Sequence, residues 1–276
     1  MPTARAGAWL RAPGEVYARA SLFGVRGERE FDAAGESRPL FDPALYERGR
    51  YLEVGGSFYG EIGLGRDVTL LGDLPIKLAD TEAIGRGNTG DVTGRAFGIP
   101  EVRLGARLPL LRGRIVAAIE PSVAIPLVGI GVSDPEAPRL GSGTASFAAA
   151  LAVGSAIPHW GGYVQAGGGY RTRGGKPPDD WFWDVEAGAS PLRMLRLRLR
   201  YDGVNAGAVA PSGSSVIALT TEAGGQDAHR IAPTLGIAFG AGHEVSISWR
   251  RNVAGRNALR GREWEVAYAF LGPLRP

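Results

Sequence analysis

Leu195-Arg196-Leu197-Arg198-Leu199-Arg200-Tyr201-Asp202 alternates apolar and charged side chains without a break. That pattern fits the two-residue period of a strand, whereas on a helix it would scatter charge around every side. The segment predicts a β-strand with one apolar and one charged face. Similar alternation recurs along the whole chain, so the deciding question is which face meets water and which meets something apolar.

Composition narrows the answer. At 276 residues the chain suits one large β domain or two ordinary ones, and 43 Gly argue for β. Its 31 basic and 28 acidic residues are interspersed and leave a formal net charge of +3. No basic block suggests nucleic acid as a partner. The absence of cysteine excludes disulfides, thiolate zinc sites and cysteine nucleophiles, and is compatible with an oxidising periplasmic folding route. Met1 to Ala6 lack the apolar core of a secretory signal, so the chain reads as a mature protein restarted with methionine. The most apolar stretch, Ile115 to Val132, holds Glu120, Pro121 and Pro126 and reads as strand rather than spanning helix.

Period-2 segments bounded by turn residues predict twelve strands. Six lie near Glu15–Arg26, Tyr51–Leu64, Val68–Ala79, Glu101–Leu111, Arg114–Leu127 and Thr144–Ala156. The others lie near Gly162–Thr172, Trp181–Ala189, Leu195–Asp202, His229–Phe239, Glu244–Asn252 and Arg262–Phe270. Connections after even strands are short, such as Gly65-Arg66-Asp67, Arg112-Gly113 and Gly240-Ala241-Gly242. Those after odd strands are longer: Gly27–Arg50, Asp80–Pro100, Val128–Gly143, Arg173–Asp180, Gly203–Ala228 and Val253–Gly261. A soluble sandwich has no reason to sort its loops this way. The expected fold is all-β: a 12-stranded antiparallel up-and-down transmembrane β-barrel with short periplasmic turns and long extracellular loops, in the bacterial outer membrane. Residues 14–270 would form the barrel, 1–13 a periplasmic tail or plug, and 271–276 a short extension.

Alternation alone leaves a soluble β-sandwich open, because that fold also has one apolar face. Aromatic placement favours the barrel. On the apolar face, Tyr170, Trp183, Tyr201 and Trp264 sit near the long loops, and Phe239, Tyr268 and Phe270 near the short turns, as two interfacial girdles would. The expected lipid-facing set is Leu195, Leu197, Leu199, Tyr201, Trp264, Tyr268 and Phe270. The last strand, ending its apolar face in Phe270, looks like the signal read by the barrel-assembly machinery.

The opposite face would line a lumen. Its candidate pore-lining residues are Arg103, Arg107, Glu120, Arg171, Asp184, Glu186, Arg196, Arg198, Arg200, Asp202, Arg230 and Arg250. Hairpin pairing around Pro191 predicts Asp184 opposite Arg198 and Glu186 opposite Arg196. Such charges can form a polar eyelet that orients passing solutes, or an ion-pair lattice that stiffens the wall and fills the lumen. Twelve strands imply a narrow or occluded pore. Pro75, Pro121 and Pro126 each remove a ladder donor and are candidate points for lateral exit.

No enzyme is expected. His159, His229 and His243 fall at different ends of the barrel and cannot share a metal or catalytic centre. Neither a catalytic residue, a metal site nor a cofactor is assigned. Asp80, Glu82, Asn88 and Asp91 are spaced too irregularly for a calcium loop and read as solvated charge.

Several segments resemble an outer-membrane transporter family often encoded beside aromatic-compound (phenol meta-cleavage) degradation genes. They are Gly7-Ala8-Trp9 with Gly14, Leu74-Pro75, Gly90-Asp91-Val92 and Ala124-Ile125-Pro126-Leu127. Gly162-Tyr163, Gly169-Tyr170-Arg171 and Pro178-Asp179-Asp180 follow. The resemblance implies an outer-membrane barrel and uptake of small hydrophobic compounds. The leading expectation is a narrow channel or transporter for small hydrophobic molecules. The alternative is a non-transporting barrel that anchors an envelope assembly for adhesion, motility or export, with partners held by the long loops or the N-terminal tail.

Overall fold

The computed structural model describes residues 8–65, 67–127, 138–175, 178–207 and 225–273. Residues 1–7 of the expected tail, parts of three long connections and residues 274–276 lie outside them.

Twelve antiparallel strands close into a barrel. The first half comprises β1 (Glu15–Gly27), β2 (Tyr46–Gly63), β3 (Thr69–Gly85), β4 (in two pieces, Val92–Gly98 and Glu101–Leu111), β5 (Ile115–Pro126) and β6 (Ser146–Ile157). The second comprises β7 (Gly162–Arg173), β8 (Asp180–Ala189), β9 (Leu195–Ala206), β10 (Asp227–Phe239), β11 (His243–Arg256) and β12 (Arg262–Pro273). Sequential neighbours pair, and β1 closes the circle on β12 from Glu15↔Pro273 to Arg26↔Arg262. Closure leaves no edge within the spanning wall, which a strand structure in lipid requires.

The short connections have turn chemistry to match. The β10–β11 turn uses Gly240 and Gly242 at φ 56° and 90°, and Gly161 ends the short 3-10 turn Pro158–Trp160 at φ 57°. Both conformations suit glycine because it has no Cβ to clash. The Ala-rich segment before it is strand β6, as its bounding residues imply.

Burial is inverted relative to a soluble sandwich. Leu22, Phe58, Phe147, Leu199, Ile247 and Trp264 are all at least half exposed, while Glu53, Glu61, Lys77, Arg107, Asp202 and Glu244 are nearly sealed. In a water-soluble protein this would place apolar surface in water and charge in the core. In lipid it is the stable arrangement. The outward face also records where the lipid band stops: along β3 it reads Leu70, Leu74, Ile76, Leu78 and then Asp80 and Glu82. Asp80 pairs with Arg95 at 2.5 Å and Glu82 with Arg50 at 2.8 Å, both exposed.

The second long connection differs from expectation. Most of Asp80 to Pro100 is strand, because β3 continues to Gly85 and the outer piece of β4 returns beside it from Val92. Only residues 86–91 join them. This hairpin rises above the lipid band, where charged outward residues suit water, so the apolar alternation used to find strands had already ended. Near it, Arg29–Phe31, Ser37–Pro39 and Ala258–Leu259 form a small separate sheet over the outer mouth. Leu40, Tyr51, Ala79, Ala96, Leu140 and Leu259 pack beneath it as a compact apolar cluster.

Leu197, 43% exposed on the outer face of β9, tests the inversion. Its replacement by Arg should cost about 2 to 4 kcal/mol if it lies near the bilayer midplane. Reversible unfolding from lipid vesicles would measure the loss, and an unchanged stability would contradict a lipid-facing position.

Candidate functional site: lumen, lower mouth and wall

Inside the barrel, acids and bases are matched at close range. Near the short-turn end, Glu61 of β2 ion-pairs with Arg11 and accepts from Arg107 at 3.3 Å, and the Tyr59 hydroxyl donates to it at 2.7 Å. Arg107 also reaches Glu120 at 2.9 Å. At the same end, Arg198 donates to Glu244 at 2.6 Å, and Tyr163 donates to Glu186. Towards the outer mouth, Arg230 meets Asp202 at 2.6 Å, Arg250 meets Glu263 at 2.7 Å, and Arg171 grips Asp180 through two bonds of 3.0 Å. Arg103 donates to Glu101 at 2.6 Å.

Both expected pairings across the β8–β9 hairpin are wrong. Asp184 stands opposite Asp202, and Glu186 opposite Arg200, rather than opposite Arg198 and Arg196. The connection Ser190–Met194 is wider than a tight hairpin, so the partner of each β8 residue moves by four positions along β9. Arg196 is drawn to the turn carbonyls of Arg193 and Leu195 at 3.1 and 3.3 Å. Arg198 consequently pairs across β10 with Glu244 of β11. Arg200 lies 3.8 Å from both Asp184 and Asp202, a looser contact that relieves the two facing acids.

The lower mouth holds a feature that alternation could not reveal. Residues 8–13 enter the lumen: the Arg11 amide donates to Thr69 Oγ1 at 2.8 Å, and Arg107 donates to the Trp9 carbonyl at 3.1 Å. Trp9 meets Tyr163 edge-on, with centroids 5.9 Å apart. Two glycines make room. A side chain at Gly154 of β6 would run into the Trp9 ring, and one at Gly63 of β2 into the Ala12 carbonyl. Arg11 is only 4% exposed and shares Glu61 with Arg107. No periodicity marks this segment, and the available signal was its composition: an indole followed by a cation, where a solvated tail needs neither.

The ladder between β3 and β4 is interrupted, as are, over shorter stretches, those between β4 and β5 and between β10 and β11. The β3–β4 register runs from Thr69↔Arg107 to Asp73↔Arg103, stops, and resumes at Lys77↔Gly98. Three residues of β3 thus face four of β4, a bulge with Pro75 on one side and Pro100 on the other. Neither has an N–H to give the ladder. Of the other candidates, Pro126 remains paired with Glu101; Pro121 is paired with Ala149 of β6, while on its other side the β4–β5 register skips from Gly105↔Ser122 to Leu108↔Ile119. On the inner side, Phe23 packs over Gly55 and Leu71 over Gly105, which leaves an apolar patch beside the break in an otherwise charged lumen. Pro100 fell inside what was read as a loop, so its position across the break from Pro75 was not legible.

Among the described residues, no group of acids, histidines or cysteines could hold a metal ion. His243 stacks with Phe239 and Tyr268 at the short-turn end, whereas His229 packs against Trp183 and Tyr201 near the outer end.

No protein-family model matches the chain, and no curated protein matches it in sequence. Among solved structures, an outer-membrane channel from Pseudomonas putida F1 superposes with a TM-score of 0.68 at 12% identity, covering 96% of this chain and 98% of that one. The transport unit of the autotransporter AIDA-I from Escherichia coli gives a TM-score of 0.50 at 8% identity, covering 92% and 89%. At such identities the likeness is one of fold. The chain has the closed antiparallel barrel of outer-membrane proteins.

Glu61→Ala would leave Arg11 and Arg107 sharing a sealed site without their common acid. Removing one partner of a buried pair typically costs about 3 to 5 kcal/mol. Unfolding of the purified barrel should register a loss of that order, and a loss near zero would mean that water reaches the site.

Proposed function

We propose that this barrel resides in the bacterial outer membrane as a narrow channel for small hydrophobic molecules, which leave the lumen through the wall between β3 and β4. The observation that carries the reading is the interruption at Pro75 and Pro100 beside the apolar patch of Phe23 and Leu71. An apolar solute gains nothing from an axial path lined with paired charges, since displacing ion pairs or their water has no compensating contact. It can pass where the wall lacks hydrogen bonds and both sides are apolar. Outward, the break meets Leu74, Ile76 and Leu104, which border lipid.

In this reading, residues 1–13 act as a plug. The contacts of Trp9 and Arg11 support it, as do the glycine seats at Gly63 and Gly154. Passage of ions straight through would then be low until the segment leaves. The fold likeness to a Pseudomonas channel is compatible with transport and is not its proof.

Two measurements check the halves separately. Removal of residues 1–13 should raise planar-bilayer conductance well above that of the full chain. Unchanged conductance would favour the non-transporting, anchoring barrel. For the lateral path, Leu74→Cys with Val102→Cys would place thiols across the interruption in a chain that has no cysteine. Cells carrying the oxidised double variant should lose uptake of toluene and regain it on reduction, with conductance of the shortened chain unaltered. Toluene uptake that persists after complete cross-linking would rule out this exit.

A further inference from the structure

Outside the lumen, a cavity of about 640 Å³ opens where β1 and β2 part company at the outer rim. The two strands stay paired up to Gly27↔Tyr51 and then diverge. Beyond that point β1 leads towards the small capping sheet, while β2 extends down from Tyr46 beside β3. Loop residues Pro39, Leu40, Phe41 and Pro43 fill the fork. Such a volume suits a small organic molecule.

The lining has two characters. Its floor is apolar: Leu40 is buried, Phe41 stands edge-on to Tyr46 with centroids 5.4 Å apart, and Ile84 closes one side. Gly49 lets Phe41 lie against the β2 backbone, since a Cβ there would collide with the ring. Its rim is cationic. Arg26 is neutralised by Glu28 at 2.6 Å and Arg50 by Glu82 at 2.6 Å, so these four contribute little net charge. The Arg29 guanidinium bonds only to neutral Ser37, at 3.0 Å to its hydroxyl and 2.8 Å to its carbonyl. Among the described residues, the side chain of Arg48 has neither a hydrogen bond nor an ion pair. Against these two cations stands one acid, Glu47.

We infer that this fork is a capture site for a small amphipathic organic acid, with its apolar body on Phe41, Tyr46 and Ile84 and its carboxylate on Arg48. Its height supports the assignment. The outward faces of β1 and β2 change from Leu22 and Val54 to Arg26 and Arg50 at this level, where lipid gives way to water. A molecule with an apolar ring and one negative charge accumulates at such a boundary. A guanidinium is suited to it, because its planar donors match a carboxylate pairwise.

Benzoate is a suitable probe, read by ligand-observed saturation-transfer NMR on the full chain in detergent. Binding does not depend on passage, so the result stands apart from conductance and uptake. Saturable benzoate binding is expected, weakened about tenfold by Arg48→Ala as for loss of one charge-assisted hydrogen bond. Arg48→Lys should retain part of it, and Phe41→Ala should weaken it without altering the heat-modifiable gel shift of the folded barrel. Inorganic phosphate should fail to displace benzoate, and benzylamine should not bind. Absence of benzoate binding, an unchanged affinity in Arg48→Ala, displacement by phosphate at equal concentration, or equal binding of benzylamine would each overturn the assignment.

Discussion

Lipid offers no hydrogen bonds, and that constraint governs the rest of this molecule. Every backbone N–H and C=O in the apolar band has to find a partner in a neighbouring strand, and an unsatisfied group costs several kcal/mol. Closure of β1 on β12 follows from it, as does the antiparallel pairing of sequential strands. It also gives weight to the places where the ladder is interrupted, of which the break between β3 and β4 leaves the most residues unpaired among the described residues. Pro75 and Pro100 remove donors on facing strands, and the Pro100 carbonyl accepts from the Leu127 N–H at 3.1 Å on its other side. A breach tolerated in so demanding a setting is a specific feature of the wall.

The same solvent explains the interior. Charges excluded from the outer face gather in the lumen, where isolated ions would be costly. They are stable because they sit within reach of opposite charges or other polar groups: Arg198 with Glu244, Arg230 with Asp202, Arg250 with Glu263. This is closer to a cross-linked wall than to an eyelet with a free cationic stripe. The alternating arginines of β9 illustrate it, since they serve three different ends: a turn, a partner on β11, and relief between two aspartates.

Most of the architecture was legible because period-2 alternation responds directly to a two-sided environment. Strands β5, β7 and β8 fall within a residue or two of their expected bounds. Legibility failed where that environment changed. Above the lipid band Asp80, Glu82, Arg50 and Arg95 face outward, so strand continued while the apolar signal stopped. It failed again wherever position depends on a distant segment. Nothing local to Trp9-Leu10-Arg11 specifies Glu61, Arg107 or Tyr163, and nothing local to Pro100 specifies Pro75. Register across β8 and β9 was missed for a narrower reason: alternation has the same phase after a slide of any even number of residues, here four, so only the geometry of Ser190–Met194 could fix it.

The glycine seats at the lower mouth bear on the order of assembly. Ala12 rests against Gly63 of β2 and Trp9 against Gly154 of β6, while Arg11 and the Trp9 carbonyl are held by Thr69 of β3 and Arg107 of β4. Those partners come from four strands and reach their mutual spacing only when the wall has closed. Residues 9–12 are therefore among the last to settle. Contacts made after the rate-limiting step do not speed folding, but they must be broken before the wall can open again. The tail thus acts chiefly on the lifetime of the inserted barrel.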